Sequence, residues 1–172
     1  NELGLPFKRY HLGPVWRGEN TQAGRYREFV QCDFDTIGTT SIASDIETAL
    51  VIYDLMRSIG LQDFTIRVNN RKVLNGLLQK SGLAEHSVPV LRALDKLAKI
   101  GREEVKNEIL ASTPAAPTQV DEILRLAEIS GSNQAALNRL KTICTGNELA
   151  ELGLEELEQV MSATQAVGIS EA

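Results

Sequence analysis

The densest chemistry in the chain lies between Val15 and Asp35, in the run Val-Trp-Arg-Gly-Glu-Asn-Thr-Gln-Ala-Gly-Arg-Tyr-Arg-Glu-Phe-Val-Gln-Cys-Asp-Phe-Asp. In an extended strand, side chains two apart share a face. One face of the second half then carries Arg25, Arg27, Phe29, Gln31, Asp33 and Asp35. That row is a charge gradient. A straight strand advances about 6.6–6.8 Å per two residues, which sets Arg25 and Asp35 roughly 33 Å apart. The basic end suits phosphate, whose oxygens a guanidinium fork matches in bidentate fashion. Phe29 offers a ring on which a planar base can stack. The acidic end suits an ammonium or an imidazole. Arg17 and Glu19, just before the loop, add to the row. Taken singly, each residue has an ordinary explanation: Arg17 as a surface arginine, Gln31 as a strand amide, Phe29 as core. Only the constellation argues for a site.

The elements that must position this row are two strands and a polar loop. Asn20, Thr21, Gln22 and Gly24 supply the loop chemistry. Phe7 to Trp16 reads as the first strand, broken by Gly13-Pro14, since proline in a strand implies an edge or a bulge. The other face of the second strand, with Tyr26, Glu28, Val30, Cys32 and Phe34, is mostly what a core accepts. Ser44-Asp45-Ile46-Glu47 fits a capping box opening a helix that Gly60 stops. Phe64 to Val68 alternates as a third strand. Asn69-Asn70 turns the chain into a helix marked by Val73, Leu74, Leu77 and Leu78 and closed by Ser81-Gly82. Residues up to about 82 thus read strand, strand, helix, strand, helix, an α+β unit on an antiparallel sheet.

Beyond residue 82 the pattern is helical. One apolar stripe of Leu91, Leu94, Leu97 and Ala98 follows Ser87 as N-cap, and a shorter one holds Val105, Ile109 and Leu110. Ser112 to Thr118 is a break. Three more stripes follow, punctuated by Gly131, Gly146, Gly153 and Gly168. The expected division is 1–82 and 83–172, the second an all-helical module whose leucines are core.

The 172 residues are enough for one or two small domains. A hydrophobic content of 42% and a charged content of 24% are ordinary for a globular protein. A net charge of −5 argues against a chain-wide basic nucleic-acid surface. Basic residues of the helical part, such as Lys96, Lys99, Arg102 and Lys106, are diluted by Glu103, Glu104 and Glu108 into a solvated surface. Cys32 and Cys144 lie far apart, and His11 and His86 form no cluster, so no metal site is expected and the thiols read as free and buried. No membrane span and no leader segment is read.

Trp16-Arg17-Gly18-Glu19 resembles the Phe-Arg-x-Glu signature of motif 2 in class II aminoacyl-tRNA synthetases. Gly24-Arg25-Tyr26-Arg27-Glu28-Phe29-Val30-Gln31 is similar to the histidyl-tRNA synthetase version of that motif. Gln31-Cys32-Asp33-Phe34-Asp35 and Val68-Asn69-Asn70-Arg71-Lys72-Val73-Leu74-Asn75-Gly76 resemble the eukaryotic-like branch of that family. The combined motif is specific, whereas the Arg-x-Glu alone would be weak.

The resemblance implies part of the antiparallel class II catalytic sheet followed by the family's helical insertion. It implies activation of histidine by ATP, with magnesium, and transfer of the histidyl group to tRNA(His). In that role Arg17 would contact the α-phosphate and the attacking carboxylate. Glu19 would read the adenine amino edge, Arg25 would lie near the γ-phosphate and Phe29 beneath adenine. Gln31 would contact the substrate histidine, and Asp35 would accept its ring N–H. Arg27 and Asp33 share the face without an implied role. The family's motif 1, motif 3 and second catalytic arginine segment have no counterpart here. A piece of a longer, homodimeric, cytoplasmic enzyme is therefore expected, inactive by itself. Two alternatives keep the fold without the catalysis: a synthetase-like regulatory subunit of histidine biosynthesis, and a tRNA-sensing pseudo-synthetase domain. The intact Arg17, Glu19, Arg25, Gln31 and Asp35 favour the enzyme.

Overall fold

Alternating polar and apolar residues near the start of the chain fold into a two-stranded antiparallel ribbon in the computed structural model, which describes residues 4–169. Strand β1 is Phe7–Trp16 and β2 is Glu28–Ile37. They pair one-to-one from Phe7 opposite Ile37 to Trp16 opposite Glu28. The expected break at Gly13-Pro14 does not occur. The Arg17 amide donates to the Arg27 carbonyl at 2.8 Å, which makes the odd-numbered pairs the hydrogen-bonded ones. Pro14, opposite Val30, therefore falls at a position whose missing N–H would have pointed away from its partner strand. Proline costs the ladder nothing there.

The face expected to be core is exposed. Tyr26, Val30 and Phe34 of the second strand and its approach are open, Val30 at 68%. Tyr10, Leu12 and Trp16 lie across from that strand on the same face, Tyr10 at 81%. Cys32, expected to be a buried thiol, is exposed with them. A ribbon of two strands covers a side chain only with its cross-strand neighbour.

Helix α1 is Ala43–Ser58. The expected capping box does not form, because the helix begins before Ser44. The Ser41 hydroxyl accepts from the Ala43 amide at 3.3 Å, and Glu47 pairs instead with Lys8 at 2.5 Å. The chain divides into two compact units, Asn1–Glu47 and Thr48–Ala172, with the division inside α1.

In the second unit the expected third strand is absent. Residues 64–68 are irregular, with no ladder partner among the described residues. Alternation there serves packing: the Phe64 ring lies 5.7 Å from that of Tyr53 on α1. Helix α2, Arg71–Lys80, forms where the sequence places it. The Asn70 side chain caps it through the Lys72 amide at 2.9 Å, and Gly82, at φ +70°, ends it with the Leu83 amide on the Leu78 carbonyl at 2.7 Å. The stripe after residue 87 is split. A 3-10 turn at Ala84–His86 leads into α3, Ser87–Leu94, and a separate turn α4 is Leu97–Ile100. Ser87 is thus a helical residue rather than the cap. Then come α5 (Arg102–Ser112), α6 (Pro117–Ala127), α7 (Asn133–Cys144) and α8 (Glu148–Ala166). Among the described residues no helix is long and apolar enough to cross a membrane.

One core joins Leu77 and Leu78 of α2 to Val90 of α3, Val105 and Ile109 of α5 and Val120, Ile123 and Leu124 of α6. A second joins Val73 of α2 to Cys144, Ala150, Leu154 and Leu157. Burial pushes the Cys144 thiol above its ordinary range. Helix α2 faces both cores and lies close on α8 because glycines leave room. A Cβ on Gly76 would stand 2.6 Å from the Ala150 Cβ and 2.7 Å from its amide nitrogen. Gly153, expected to punctuate the helices, is instead in mid-helix α8, where a Cβ would stand 2.8 Å from the Lys72 Cβ and 2.9 Å from the Val73 amide nitrogen.

Ion pairs tie the same helices. Glu156 of α8 accepts from the Asn70 side-chain amide at 2.6 Å and pairs with Lys72. Lys72 first, and then Asn70, hold its carboxyl below the ordinary glutamate range, against the upward push of burial. Asp121 of α6 pairs with Lys106 at 2.8 Å and Arg102 at 3.1 Å, and the Lys106 hydrogen bond chiefly holds its carboxyl down.

Two outcomes follow from this packing, and a third from the exposed ribbon. Gly76→Ala and Gly153→Ala each lower unfolding stability in urea by about 1–3 kcal/mol despite the better helix propensity of alanine, because the crowding is against backbone. A neutral or stabilising result would mean that α2 and α8 do not pack this closely. A carboxyl with a lowered native pKa stabilises fully above its unfolded value, and that stability is lost as pH falls through the native one. Glu156→Gln should therefore flatten the stability–pH curve below the ordinary glutamate value of 4.5 and cost stability above it. Trp16, the single tryptophan, is 68% exposed, so its emission in this chain should be red-shifted as for indole in water and freely quenched by acrylamide.

Candidate ligand-binding face of the ribbon

The register decides which side chains of the two strands meet. Directly paired residues share a face. Arg9, His11, Gly13 and Val15 of β1 therefore lie on the same side as Phe29, Gln31, Asp33 and Asp35 of β2. Arg17 extends that row by one step, its backbone N–H donating to the Arg27 carbonyl. The second strand's row is the half-buried one as far as Asp33, whereas the alternate residues from Glu28 to Phe34 are exposed.

Arg17 is at the middle of the contacts. Its guanidinium carbon stands 5.1 Å from the centroid of the Phe29 ring. At an exposed site such a cation–ring contact contributes about 0.5–1 kcal/mol. Arg17 Nη2 also donates to Gln31 Oε1 at 2.8 Å, and Gln31 Nε2 in turn donates to Asp33 Oδ1. Ring, guanidinium, carboxamide and carboxylate thus form one connected series. Asp33, to which neither spacing nor resemblance assigns a role, orients the amide that orients the arginine.

The loop from Arg17 to Arg27 holds the next pair. Gln22 and Arg25 exchange backbone hydrogen bonds at 2.9 and 3.3 Å around Ala23-Gly24, and Gly24 takes φ +74°. Glycine fits that conformation without a Cβ penalty. Arg25 pairs with the Glu19 carboxylate across the loop, and Arg27 Nε donates to the Glu19 carbonyl at 3.1 Å. Arg27 therefore braces the loop.

The row expected from strand alternation is continuous from Phe29 to Asp35 but not at its basic end. Arg25 and Arg27 precede β2, which begins at Glu28, so the straight span of roughly 33 Å does not apply. Arg17 takes the place that alternation gives to them. Asp35 is on the expected face, and Arg9 Nη2 reaches its Oδ2 at 2.6 Å. Sequence reasoning misses Arg9. Its signal is a position on the alternating first strand, but interpreting that position requires the register.

Chemically, the face offers a flat ring beside a guanidinium, an amide between cation and carboxylate, and a further carboxylate at one end. It can take an anion at Arg17 and Arg25, a planar group on Phe29 and an N–H donor at Asp35. Each of these groups already has a partner within the protein, so a ligand must either exchange with that partner or add beside it.

Comparison with known proteins bears on that chemistry. The family profile described as Histidyl-tRNA synthetase matches residues 5–172. A histidine–tRNA ligase from Rhodopirellula baltica is 55% identical over 168 residues, covering 98% of this chain and 38% of that protein. One from Clostridium tetani is 40% identical over 163 residues, covering 94% and 37%. The crystal structure of histidyl-tRNA synthetase from Nostoc sp. PCC 7120 superposes with a TM-score of 0.88 at 33% identity, covering 99% of this chain and 39% of that one. The chain thus spans well under half the length of the relatives it matches. With a ribbon, loop and helices that follow one family over nearly the whole of its length, the chain belongs to the histidyl-tRNA synthetase family.

Proposed function

We propose that this chain serves a histidine–tRNA ligase, in which histidine is activated by ATP to histidyl-adenylate and passed to tRNA(His). The observation that carries the reading is the Arg17 guanidinium, set over the Phe29 ring and bonded to Gln31 on one face of the ribbon. A nucleotide and an amino acid must meet there, and one cation lies between the ring for the first and the amide for the second.

In this reading adenine stacks on Phe29, with its amino edge toward Glu19. Arg17 holds the α-phosphate and the incoming carboxylate together, and Arg25 leaves Glu19 for the γ-phosphate. The carboxylate oxygen of histidine attacks the α-phosphorus, the bond to the bridging oxygen breaks, and pyrophosphate leaves. A ribose hydroxyl at the tRNA end then attacks the acyl carbon, and AMP leaves. Most of the rate enhancement is positioning and charge stabilisation. Gln31 holds the amino acid, and Asp35 accepts the imidazole N–H. An apolar isostere would leave that carboxylate unpaired, which is the basis of discrimination.

Magnesium accompanies ATP in such chemistry. Among the described residues no His, Cys, Asp and Glu side chains gather as a metal site, and no step is assigned to the ion. The same reading makes 1–82 a part of the catalytic core and 83–172 a helical insertion. That boundary is one of function, since α2 shares its packing with α5, α6 and α8. It also carries a homodimer as the assembly and the cytoplasm as the place of work.

The test is histidine-dependent ATP–pyrophosphate exchange by a full-length protein containing this segment. Arg17→Ala should lower kcat/KM by about 10²–10³-fold, as for loss of one preorganised charge donor in a transition state. Arg17→Lys should recover little, because an ammonium has no planar fork and stacks poorly on Phe29. An Arg17→Ala enzyme as fast as its parent would refute the reading.

A further inference from the structure

We propose that Arg9 is a specificity-determining positioning residue: by neutralising Asp35 across the ribbon, it makes the site accept the substrate's imidazole in its uncharged form. The inference rests on the proposed role of Asp35 toward histidine.

The geometry is direct. Arg9 and Asp35 are paired residues of β1 and β2, so their side chains leave the same face. Arg9 Nη2 lies 2.6 Å from Asp35 Oδ2, and each side chain is 45% exposed. A carboxylate has about four lone-pair sites, so one guanidinium contact leaves acceptor capacity for a second donor. An imidazole N–H can therefore add to the pair without displacing it.

The surroundings leave this balance to Arg9. Along the same face, Phe7 and Ile37 on one side of the pair are uncharged. On the other side are Asp33, engaged by Gln31, and His11 opposite it. The His11 ring leans away, with Nε2 and Cε1 3.2 and 3.3 Å from where a Cβ on Gly13 would stand. Lys8 belongs to the opposite face and pairs with Glu47 of α1. Without Arg9, Asp33 and Asp35 would be two carboxylates on neighbouring positions of one strand face, a setting that favours a cation.

The consequence for the substrate has a definite sign. Histidine titrates near about pH 6.5. A neutral pair of Arg9 and Asp35 gives an imidazolium no net charge to meet and has no need of one. The KM for histidine should then rise as pH falls below the imidazole pKa, approaching about tenfold per unit. A lone carboxylate would bind imidazolium at least as well as imidazole, so that rise would disappear.

The experiment is the pH profile of the KM for histidine in pyrophosphate exchange by a full-length protein containing this segment, from about pH 5.5 to about pH 8. Arg9→Gln should raise that KM about threefold at the upper end, the modest cost of losing a half-exposed pair. It should equal or better the parent at the lower end, while the KM for ATP stays on the parent's curve. Arg9→Lys should restore the parent's slope. Repeating the profiles in a His11→Asn background leaves the ribbon with no imidazole of its own. Parallel profiles for parent and Arg9→Gln overturn the inference and leave the proposed ligase intact, since a merely structural Arg9 would shift KM equally at every pH. No histidine-dependent exchange by the parent would overturn both.

Discussion

Three extra residues on one side of a hairpin loop set the whole arrangement. In the turn Gln22 faces Arg25, whereas in the ladder Trp16 faces Glu28. Residues 17–21 fill one side of the loop, and only 26–27 fill the other. If the turn's pairing had continued into the strands, Arg17 would face Val30 and share a side with Cys32. An odd shift in register sends every side chain of a strand to the other face. The uneven loop makes that shift and brings Arg17 over Phe29 and against Gln31. The backbone bond from Arg17 to the Arg27 carbonyl and the Arg27 side chain on the Glu19 carbonyl hold it there.

This constraint also separates what is legible in the sequence from what is not. Within one strand the period of two is enough, so the spacing alone places Phe29, Gln31, Asp33 and Asp35 together. Between strands it is not enough, and Arg9 escapes notice because its partner depends on the loop's asymmetry. Helix α2 is readable from Asn70 to Gly82 because its cap and terminator are local chemistry. The start of α1 is not, because Glu47, which would have closed a capping box, finds a lysine far away in sequence. The strand expected at 64–68 fails for a related reason. Alternation describes one segment, whereas a strand is defined by a second, and Phe64 uses its alternation to reach Tyr53.

Glycine shows the same division. Gly24 and Gly82 take positive φ, which turn and helix-end signals anticipate. Gly76 and Gly153 have ordinary helical roles locally, and their meaning lies in the neighbouring helix. Each removes a Cβ that would strike backbone across the α2–α8 contact. Close approach then lets Glu156 reach both the cap residue Asn70 and Lys72. A sequence stripe of leucines identifies a core-facing helix, but it does not say how near the next helix comes.

The ligand face is consistent with these constraints in its electrostatics. Its charged groups come in opposed pairs: Arg25 with Glu19, Arg17 through Gln31 with Asp33, and Arg9 with Asp35. Cations gather toward the loop and carboxylates toward the other end of the row, and like neighbours repel, so pairing across the strands and the loop stabilises the face. For the proposed ligands it would also make binding at the loop an exchange. In the proposed ligase a triphosphate would replace one carboxylate at Arg25, so most of that ion pair's loss would be recovered by a more highly charged partner. The other end behaves differently. A neutral imidazole cannot replace a guanidinium as the counter-ion of Asp35, and with both partners near half exposure it need not, because the carboxylate retains room for both. On that proposal the two ends of one ribbon would bind by different rules, substitution at the loop and addition at Asp35, and the difference follows from whether the ligand carries a charge that can take over the resident partner's role.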